Sequence, residues 1–191
     1  MARGPTAVIE TLALLVVVFA LQLMAPLTGL GASAFALALP LAVNPWTVVT
    51  SVYAHAGVDH LVANAVALAV VGLLVARRTS RARFHGFFLA TGSLSGVATV
   101  LVGSALGGST AVLGASGAIL GLVGYLLAGN LATETLLGRV TLSRRAWAAV
   151  VAVLALGVVL ATGGPGVALT AHVVGFLLGL GAGRLHLLRA E

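Results

Sequence analysis

The chain contains no cysteine and no lysine, and its 191 residues include a single aspartate, Asp59. Without cysteine it has no disulfide framework, thiolate metal site or cysteine nucleophile. Without lysine it has no Ser-Lys dyad, and one aspartate cannot form an aspartyl dyad. The HExxH motif of zinc-dependent hydrolases is also absent. These absences exclude several common ways of activating a nucleophile or a water molecule.

Charge is scarce as well. Charged residues make up 7% of the chain and hydrophobic residues 60%, and the mean hydropathy is +1.17. Soluble domains of ordinary composition are far more polar than this. The composition therefore predicts a membrane protein.

Hydropathy read in windows of about 19 residues predicts an all-α membrane protein, a single six-helix bundle over residues 1–191. The predicted spans are 8–27, 58–76, 84–102, 116–130, 146–162 and 166–184. The fourth span is short, because its apolar run ends before Asn130 and a spanning helix needs roughly 20 residues. Irregular backbone at the start of so short a span has to be buried in protein or line a water-filled cavity.

The basic residues predict the orientation in the membrane. All ten are arginine, and they lie at the N-terminus, in every second loop and at the C-terminus: Arg3, Arg77, Arg78, Arg81, Arg83, Arg139, Arg144, Arg145, Arg184 and Arg189. The connections 28–57, 103–115 and 163–165 contain none, so the positive-inside rule predicts that both termini are cytoplasmic. The net charge of +6 then reflects topology, and no nucleic-acid partner is expected.

The N-terminal region allows alternative interpretations. Arg3, an apolar stretch and the small residues 32–34 resemble a signal peptide, but the apolar run 11–30 exceeds the roughly 7 to 15 residues of a signal h-region, so we expect a retained helix. The long outer connection between spans one and two contains an apolar segment, 34–43, which is either an interfacial hairpin or re-entrant element or a plain loop. With no targeting extension, a prokaryotic plasma membrane is expected.

Four polar side chains are predicted to meet in the outer leaflet, because spans two, four and six all begin there. His60 and Asn64 are four residues apart on one face of span two, and Ser116 opens span four. His172 lies roughly 9 Å below the start of span six at 1.5 Å per residue. Polar side chains within a membrane span are costly and are functional candidates by default.

Acyl transfer is the chemistry that this set predicts. A serine hydroxyl needs a base to take its proton, and Ser116 with His172 would be that pair. The Ser116 N–H, His60 and Asn64 would be donors to the oxyanion. No orienting acid is expected, because Asp59 points about 100° away from His60 and the glutamates Glu10, Glu134 and Glu191 lie at or near the cytoplasmic side. An ion site formed by His60, Asn64 and His172 is the less favoured alternative, because no carboxylate clearly faces them.

Small residues along spans four and six also predict helix packing. Gly117, Gly121, Gly124 and Ala128 follow helical spacing, and a second ridge is formed by Ala171, Gly175, Gly179 and Gly183. Such ridges let helices approach closely, and if they meet, Ser116 and His172 come within hydrogen-bond reach. In span three, Gly92, Ser93, Ser95, Gly96 and Thr99 are interpreted as packing residues alone.

Together these motifs resemble those of the rhomboid intramembrane serine proteases. The matching elements are His55-(x4)-His60-(x3)-Asn64, Gly114-Ala115-Ser116-Gly117 and Ala171-His172-(x2)-Gly175-(x3)-Gly179. The resemblance implies a rhomboid-like six-span bundle with a serine endopeptidase activity and no cofactor or metal. It also implies a Ser116 nucleophile and a His172 base, with an oxyanion site built from His60, Asn64 and the serine amide, supported by His55 and Gly114.

The resemblance further implies the partners: single-pass membrane proteins, cut in or near the outer part of their spanning helix, and the surrounding lipids. Two positions depart from the family pattern. Thr47 stands where an arginine often follows tryptophan, and Leu120 stands where a tyrosine often lies under the histidine. Two other functions stay open, a non-catalytic rhomboid-like protein that binds or escorts transmembrane helices and a small transporter or channel.

Overall fold

A computed structural model describes residues 5–108, 111–129 and 168–189, with positions 149, 153 and 157 between them. The described part is mostly helical. Its helices are α1 (Pro5–Met24), α2 (Thr47–Thr50), α3 (Val58–Ala76), α4 (Arg81–Ala105), α5 (Ser116–Gly129) and α6 (Leu169–Arg184). Two short strands, β1 (Leu37–Ala38) and β2 (Ala111–Val112), and two 3-10 turns, Ala25–Thr28 and Ala32–Ala34, complete the element order.

Within the described residues, three helical segments are long and apolar enough to cross a membrane: Pro5–Thr28, Val58–Ala76 and Arg81–Ala105. Two further apolar helices, Ser116–Ala128 and Leu169–Arg184, are shorter. Large hydrophobic side chains on α1 and α3 point away from the protein, and Val16, Val62 and Val70 are each more than half exposed. A water-facing surface rarely carries so many of them together, whereas a lipid-facing surface does.

The predicted spans one to four and six overlap helices, although α1 runs from Pro5 to Met24 rather than 8–27 and α6 begins at Leu169 rather than at residue 166. The predicted fifth span, 146–162, lies outside the described residues except for positions 149, 153 and 157, which are helical. Helix α4 begins earlier than predicted, at Arg81 rather than at residue 84, because the Ser80 hydroxyl caps it by accepting a hydrogen bond from the Arg83 N–H at 3.3 Å. Such a cap satisfies a helix-start donor that has no partner within the helix.

Aromatic and aliphatic side chains fill the interior of the bundle. Six of the largest fully buried ones come from five helices, and Leu37 comes from β1; the six are Leu15, Leu68, Phe84, Phe88, Leu122 and Phe176. Phe84 and Phe88 stack one turn apart on α4, with ring centroids 6.3 Å apart. This core fixes the mutual positions of the helices that carry the candidate site residues.

The connection from α1 to α3 is attached to the segment that precedes α5. Strands β1 and β2 pair antiparallel, with Leu37 opposite Val112 and Ala38 opposite Ala111. The strand within residues 34–43 therefore does not pair inside a hairpin of its own, while the choice between a re-entrant element and a plain loop stays a prediction. Strand β1 pairs with a distant segment, and this long-range pairing leaves no periodicity in the sequence.

The connection from α1 to α3 also packs against small residues of α4. A Cβ on Gly92 would be 2.6 Å from a Val52 methyl, and one on Gly96 would be 3.2 Å from Leu37. The Ser93 hydroxyl donates to the Val48 carbonyl at 2.7 Å. The interpretation of these α4 residues as packing alone is thus too narrow, because Ser93 holds the connection by a hydrogen bond.

Candidate active site

Helix α5 begins directly after a sharp bend at Gly114. Gly114 has φ +127°, a backbone conformation that residues with a side chain rarely adopt. A Cβ at this position would also be 2.7 Å from the Cε1 atom of His60. The Gly114 N–H donates to the Ser51 carbonyl at 2.8 Å. Glycine is therefore required here for two reasons, and its own N–H is already used.

Ser116 is the first residue of α5, and the structure brings it to His172 on α6. The His172 Nε2 atom lies 2.9 Å from the Ser116 Oγ atom, within the range of a hydrogen bond between a nucleophile and its base. His172 is buried, with 7% of its surface exposed. Because Ser116 opens a helix, its N–H is one of the first four that lack a partner within the helix.

Backbone contact between α5 and α6 makes this pair possible. A Cβ on Gly175 would overlap the Gly117 carbonyl oxygen, and one on Gly179 would overlap the Gly121 carbonyl oxygen. A Cβ on Gly124 would likewise overlap the Phe176 carbonyl oxygen. The two predicted glycine ridges thus meet, and the helices approach more closely than any residue with a side chain would allow.

His60 and Asn64 reach the same region from the first turns of α3. Asn64 is buried, and its Nδ2 atom donates one hydrogen to the His60 carbonyl at 2.9 Å. An amide nitrogen carries two hydrogens, so the second is available to a ligand. The His60 Nδ1 atom accepts a 3.4 Å hydrogen bond from the Ala56 N–H. A neutral imidazole that accepts at Nδ1 carries its proton on Nε2.

Together, Ser116, His172, His60 and Asn64 line one cleft of about 1030 Å³. The cleft also borders α4, β2 and the start of α6. Two of these side chains, His60 and Asn64, come from α3, and a third, His172, comes from α6 beside the Ser116 hydroxyl. This is the arrangement that attack on a carbonyl group requires.

His55 lies behind the cleft rather than in it. Its side chain is 2% exposed, its Nδ1 atom donates to the Tyr53 carbonyl at 3.0 Å, and its ring meets the His60 ring edge-on, with centroids 5.0 Å apart. Burial, reinforced by the nearby His60, lowers the pKa of His55 to about 4. At neutral pH this histidine is uncharged, and its contacts are those of a support for His60.

Sequence reasoning missed Gln22 on α1. The Gln22 side chain bonds to both backbone groups of His55: Oε1 accepts from the His55 N–H at 2.8 Å, and Nε2 donates to the His55 carbonyl at 3.2 Å. A signal was present, because Gln22 is the only polar residue between Thr11 and the end of α1. A lone amide in an apolar helix needs a partner, and this one is 33 residues away.

Carboxylates take no part in the cleft as the structure describes it. Glu10 binds the Arg81 Nε atom at 2.7 Å and the His85 Nε2 atom at 2.9 Å, and none of these three residues lines the cleft. Glu134 and Glu191 lie outside the described residues. Within the described ranges, no group of three or more His, Asp or Glu side chains is arranged to hold a metal ion.

Thr47 and Leu120, the two positions that depart from the family pattern, lie in different parts of the structure. Thr47 is buried and its hydroxyl donates to the Asn44 carbonyl at 2.6 Å, while the neighbouring Trp46 donates from Nε1 to the Ala34 carbonyl at 3.0 Å. These bonds anchor the connection without an arginine. Leu120, one turn after Ser116, is half-buried and offers the cleft no hydroxyl.

The fold and the cleft define an integral membrane protein that brings a serine and a histidine together at the start of a short apolar helix. Comparison with known protein families matches residues 42–189 to the Rhomboid domain, and the chain belongs to the rhomboid family, as its motifs predicted. Members of this family are generally intramembrane serine proteases. The match begins after α1, and a search of curated proteins found no match.

Proposed function

We propose that this protein is an intramembrane serine endopeptidase that cuts single-pass membrane proteins in or near their transmembrane segment. The observation that carries the proposal is the 2.9 Å contact between Ser116 Oγ and His172 Nε2. A protein that only binds transmembrane helices has no need of this pair. The contact lies in a cleft lined by His60 and Asn64 as well, which favours hydrolysis over transport.

The reaction begins with a proton transfer. His172 Nε2 accepts the hydroxyl proton of Ser116 as Oγ attacks the carbonyl carbon of the scissile peptide bond. The carbonyl oxygen becomes an oxyanion, and when the C–N bond breaks, His172 passes the proton to the leaving amine nitrogen. Water then attacks the acyl-serine with the same histidine as base, which releases the second product and restores Ser116.

Three donors would stabilise the oxyanion. They are the Ser116 N–H, the second amide hydrogen of Asn64 and the Nε2 proton of His60. In a site that is shielded from bulk water such fixed donors stabilise developing charge strongly, and they need no reorganisation during the reaction. His55 and Gly114 support this set, His55 through the His60 ring and Gly114 by making room for it.

The substrate class follows from the site's position. In the proposed topology both termini are cytoplasmic and the cleft opens towards the outer leaflet of a prokaryotic plasma membrane, because the arginines lie in alternate connections. Peptide bonds that reach such a cleft belong to membrane-embedded helices. Lipids surround the protein, and no nucleic acid is expected.

The oxyanion donors give the first prediction. We expect Asn64→Ala to lower kcat by roughly 10 to 1,000-fold, at most the loss that removal of one whole oxyanion donor causes in other enzymes, and His60→Ala to act similarly. The measurement is cleavage of a single-span substrate by the purified protein in liposomes. Asn44→Ala is the matched control, because Asn44 is a partly exposed loop amide that bonds to the Ser33 carbonyl and does not line the cleft.

Two outcomes would overturn these assignments. Full activity of a His60→Ala, Asn64→Ala double variant would remove both residues from the oxyanion site. A wild-type protein that retains uncut single-span proteins on purification, and releases no product in liposomes, would instead be a helix-binding member of the family.

A further inference from the structure

Gln22 on α1 bonds to the backbone at His55, just before α3 begins. Its amide makes two hydrogen bonds to one residue, accepting from the His55 N–H at 2.8 Å and donating to the His55 carbonyl at 3.2 Å. A side chain with one hydrogen bond can still swing about it. Two bonds fix both the position and the orientation of the backbone at His55.

The His55 carbonyl and the Ala56 N–H belong to the same peptide group, and this group connects Gln22 to His60. On one side the carbonyl accepts from Gln22 Nε2 at 3.2 Å, and on the other the N–H donates to His60 Nδ1 at 3.4 Å. Hydrogen bonding at the oxygen of an amide polarises it and strengthens its N–H as a donor. Gln22 therefore supports the bond that aims the His60 ring.

We propose that Gln22 is a positioning residue for the oxyanion site, which it orders through the His55–Ala56 peptide group and His60. The Ala56 N–H keeps Nδ1 of His60 as an acceptor, so that the proton is on Nε2. The Nε2 atom of His60 lies on the ring edge that borders Gly114, since a Cβ on Gly114 would be 3.0 Å from it. Gly114 precedes the proposed nucleophile, Ser116, by two residues.

The His55 ring contributes from the other side. It meets the His60 ring edge-on and is itself held by the Tyr53 carbonyl. Gln22 fixes the backbone of His55, and Tyr53 fixes its ring. Both contacts restrict the position of the His60 ring. Gln22 therefore affects the cleft although no residue of α1 lines it.

The test replaces Gln22 with methionine, which is similar in length but neither donates nor accepts in this way. We expect kcat to fall about 10-fold, which is part of the 10²–10³-fold loss in kcat that removal of a whole oxyanion donor causes. This expectation rests on the proposed endopeptidase function. KM should not change, since the lost interaction acts in the transition state. The matched control is Thr11→Val, which removes a buried hydrogen bond to the Ala7 carbonyl in the same helix.

A double-mutant comparison separates positioning from general stabilisation. If Gln22 acts through His60, Gln22→Met should have no further effect on kcat in a His60→Ala background. An equal 10-fold loss in both backgrounds would contradict the proposal, and so would unchanged kcat in the single variant. A loss of activity in Thr11→Val equal to that in Gln22→Met would also contradict it, because the effect would then follow helix stability.

A spectroscopic measurement tests the proposal without any cleavage, so it distinguishes failure of the positioning role from failure of the proposed function. The chain has five histidines, and nitrogen-15 NMR of labelled imidazoles reports which ring nitrogen carries the proton. We expect His60 to be protonated at Nε2 in the wild type and to shift towards a mixture of tautomers in Gln22→Met. His186 serves as the internal reference. An unchanged His60 signal in the variant, or protonation at Nδ1 in the wild type, would overturn the proposal.

Discussion

Replacing Ser116 with alanine is expected to lower kcat for a transmembrane substrate by about 10⁶-fold, to the limit of detection. The reason is that the variant lacks the hydroxyl oxygen that lies 2.9 Å from His172 Nε2, and loss of a serine nucleophile or its histidine in other serine proteases costs about this much. His172→Ala should be equally severe. The double variant should be no worse than either single one, because the two residues act as a unit.

The measurement is product formation in liposomes, with thermal unfolding in detergent as a check on folding. Ser104→Ala is the matched control: Ser104 is an exposed serine near the end of α4, and its removal should leave kcat unchanged. Detectable cleavage of the same bond by Ser116→Ala would mean that another group attacks the scissile carbonyl, and it would contradict the assignment of Ser116.

The second large effect is expected from Gly175, which does not touch the reacting groups. A Cβ at this position would overlap the Gly117 carbonyl oxygen on α5. Gly175→Ala must therefore push α6 away from α5 and lengthen the contact between Ser116 and His172. Overpacking of this kind costs typically about 1–3 kcal/mol of stability, and a displacement of about 1 Å at the reacting atoms costs about 100-fold in rate.

The same helix offers a matched control for this variant. A Cβ on Gly181 would meet nothing within 4 Å, so Gly181→Ala should leave both kcat and the unfolding temperature close to those of the wild type. Equal behaviour of the two variants would show that the glycine contact does not position the dyad. Loss of stability in Gly175→Ala with full kcat would contradict the account as well.

Much of the helical framework could be predicted, because a long apolar run without charge is recognisable in the sequence as a membrane helix. Long runs without charge define α1, α3 and α4, and the short run after Ser116 was visible as a helix too brief to span. The proximity of Ser116 and His172 could also be anticipated, because glycines at helical spacing on both sides indicate close approach. The predicted fifth span, 146–162, lies outside the described residues except for positions 149, 153 and 157, so it stays a prediction.

The remaining features have no local signature. Two-residue strands such as β1 and β2 are too short to show alternation, and their pairing joins segments more than 70 residues apart. Gln22 acts on His55 through backbone atoms, which every residue possesses, so nothing in the sequence around His55 marks the contact. Ser93 likewise bonds to a carbonyl. Such side chain to backbone bonds follow from the fold, and the sequence indicates only that a polar side chain in an apolar helix needs a partner.

The central claim is that Ser116, activated by His172, is the nucleophile. The most direct measurement is reaction of the purified wild-type protein with a fluorophosphonate, followed by peptide mapping of the adduct by mass spectrometry. The account predicts a single phosphonylated residue, Ser116, and strongly reduced labelling in His172→Ala. An adduct on any other serine, or cleavage of a transmembrane substrate by protein in which Ser116 is fully phosphonylated, would contradict it.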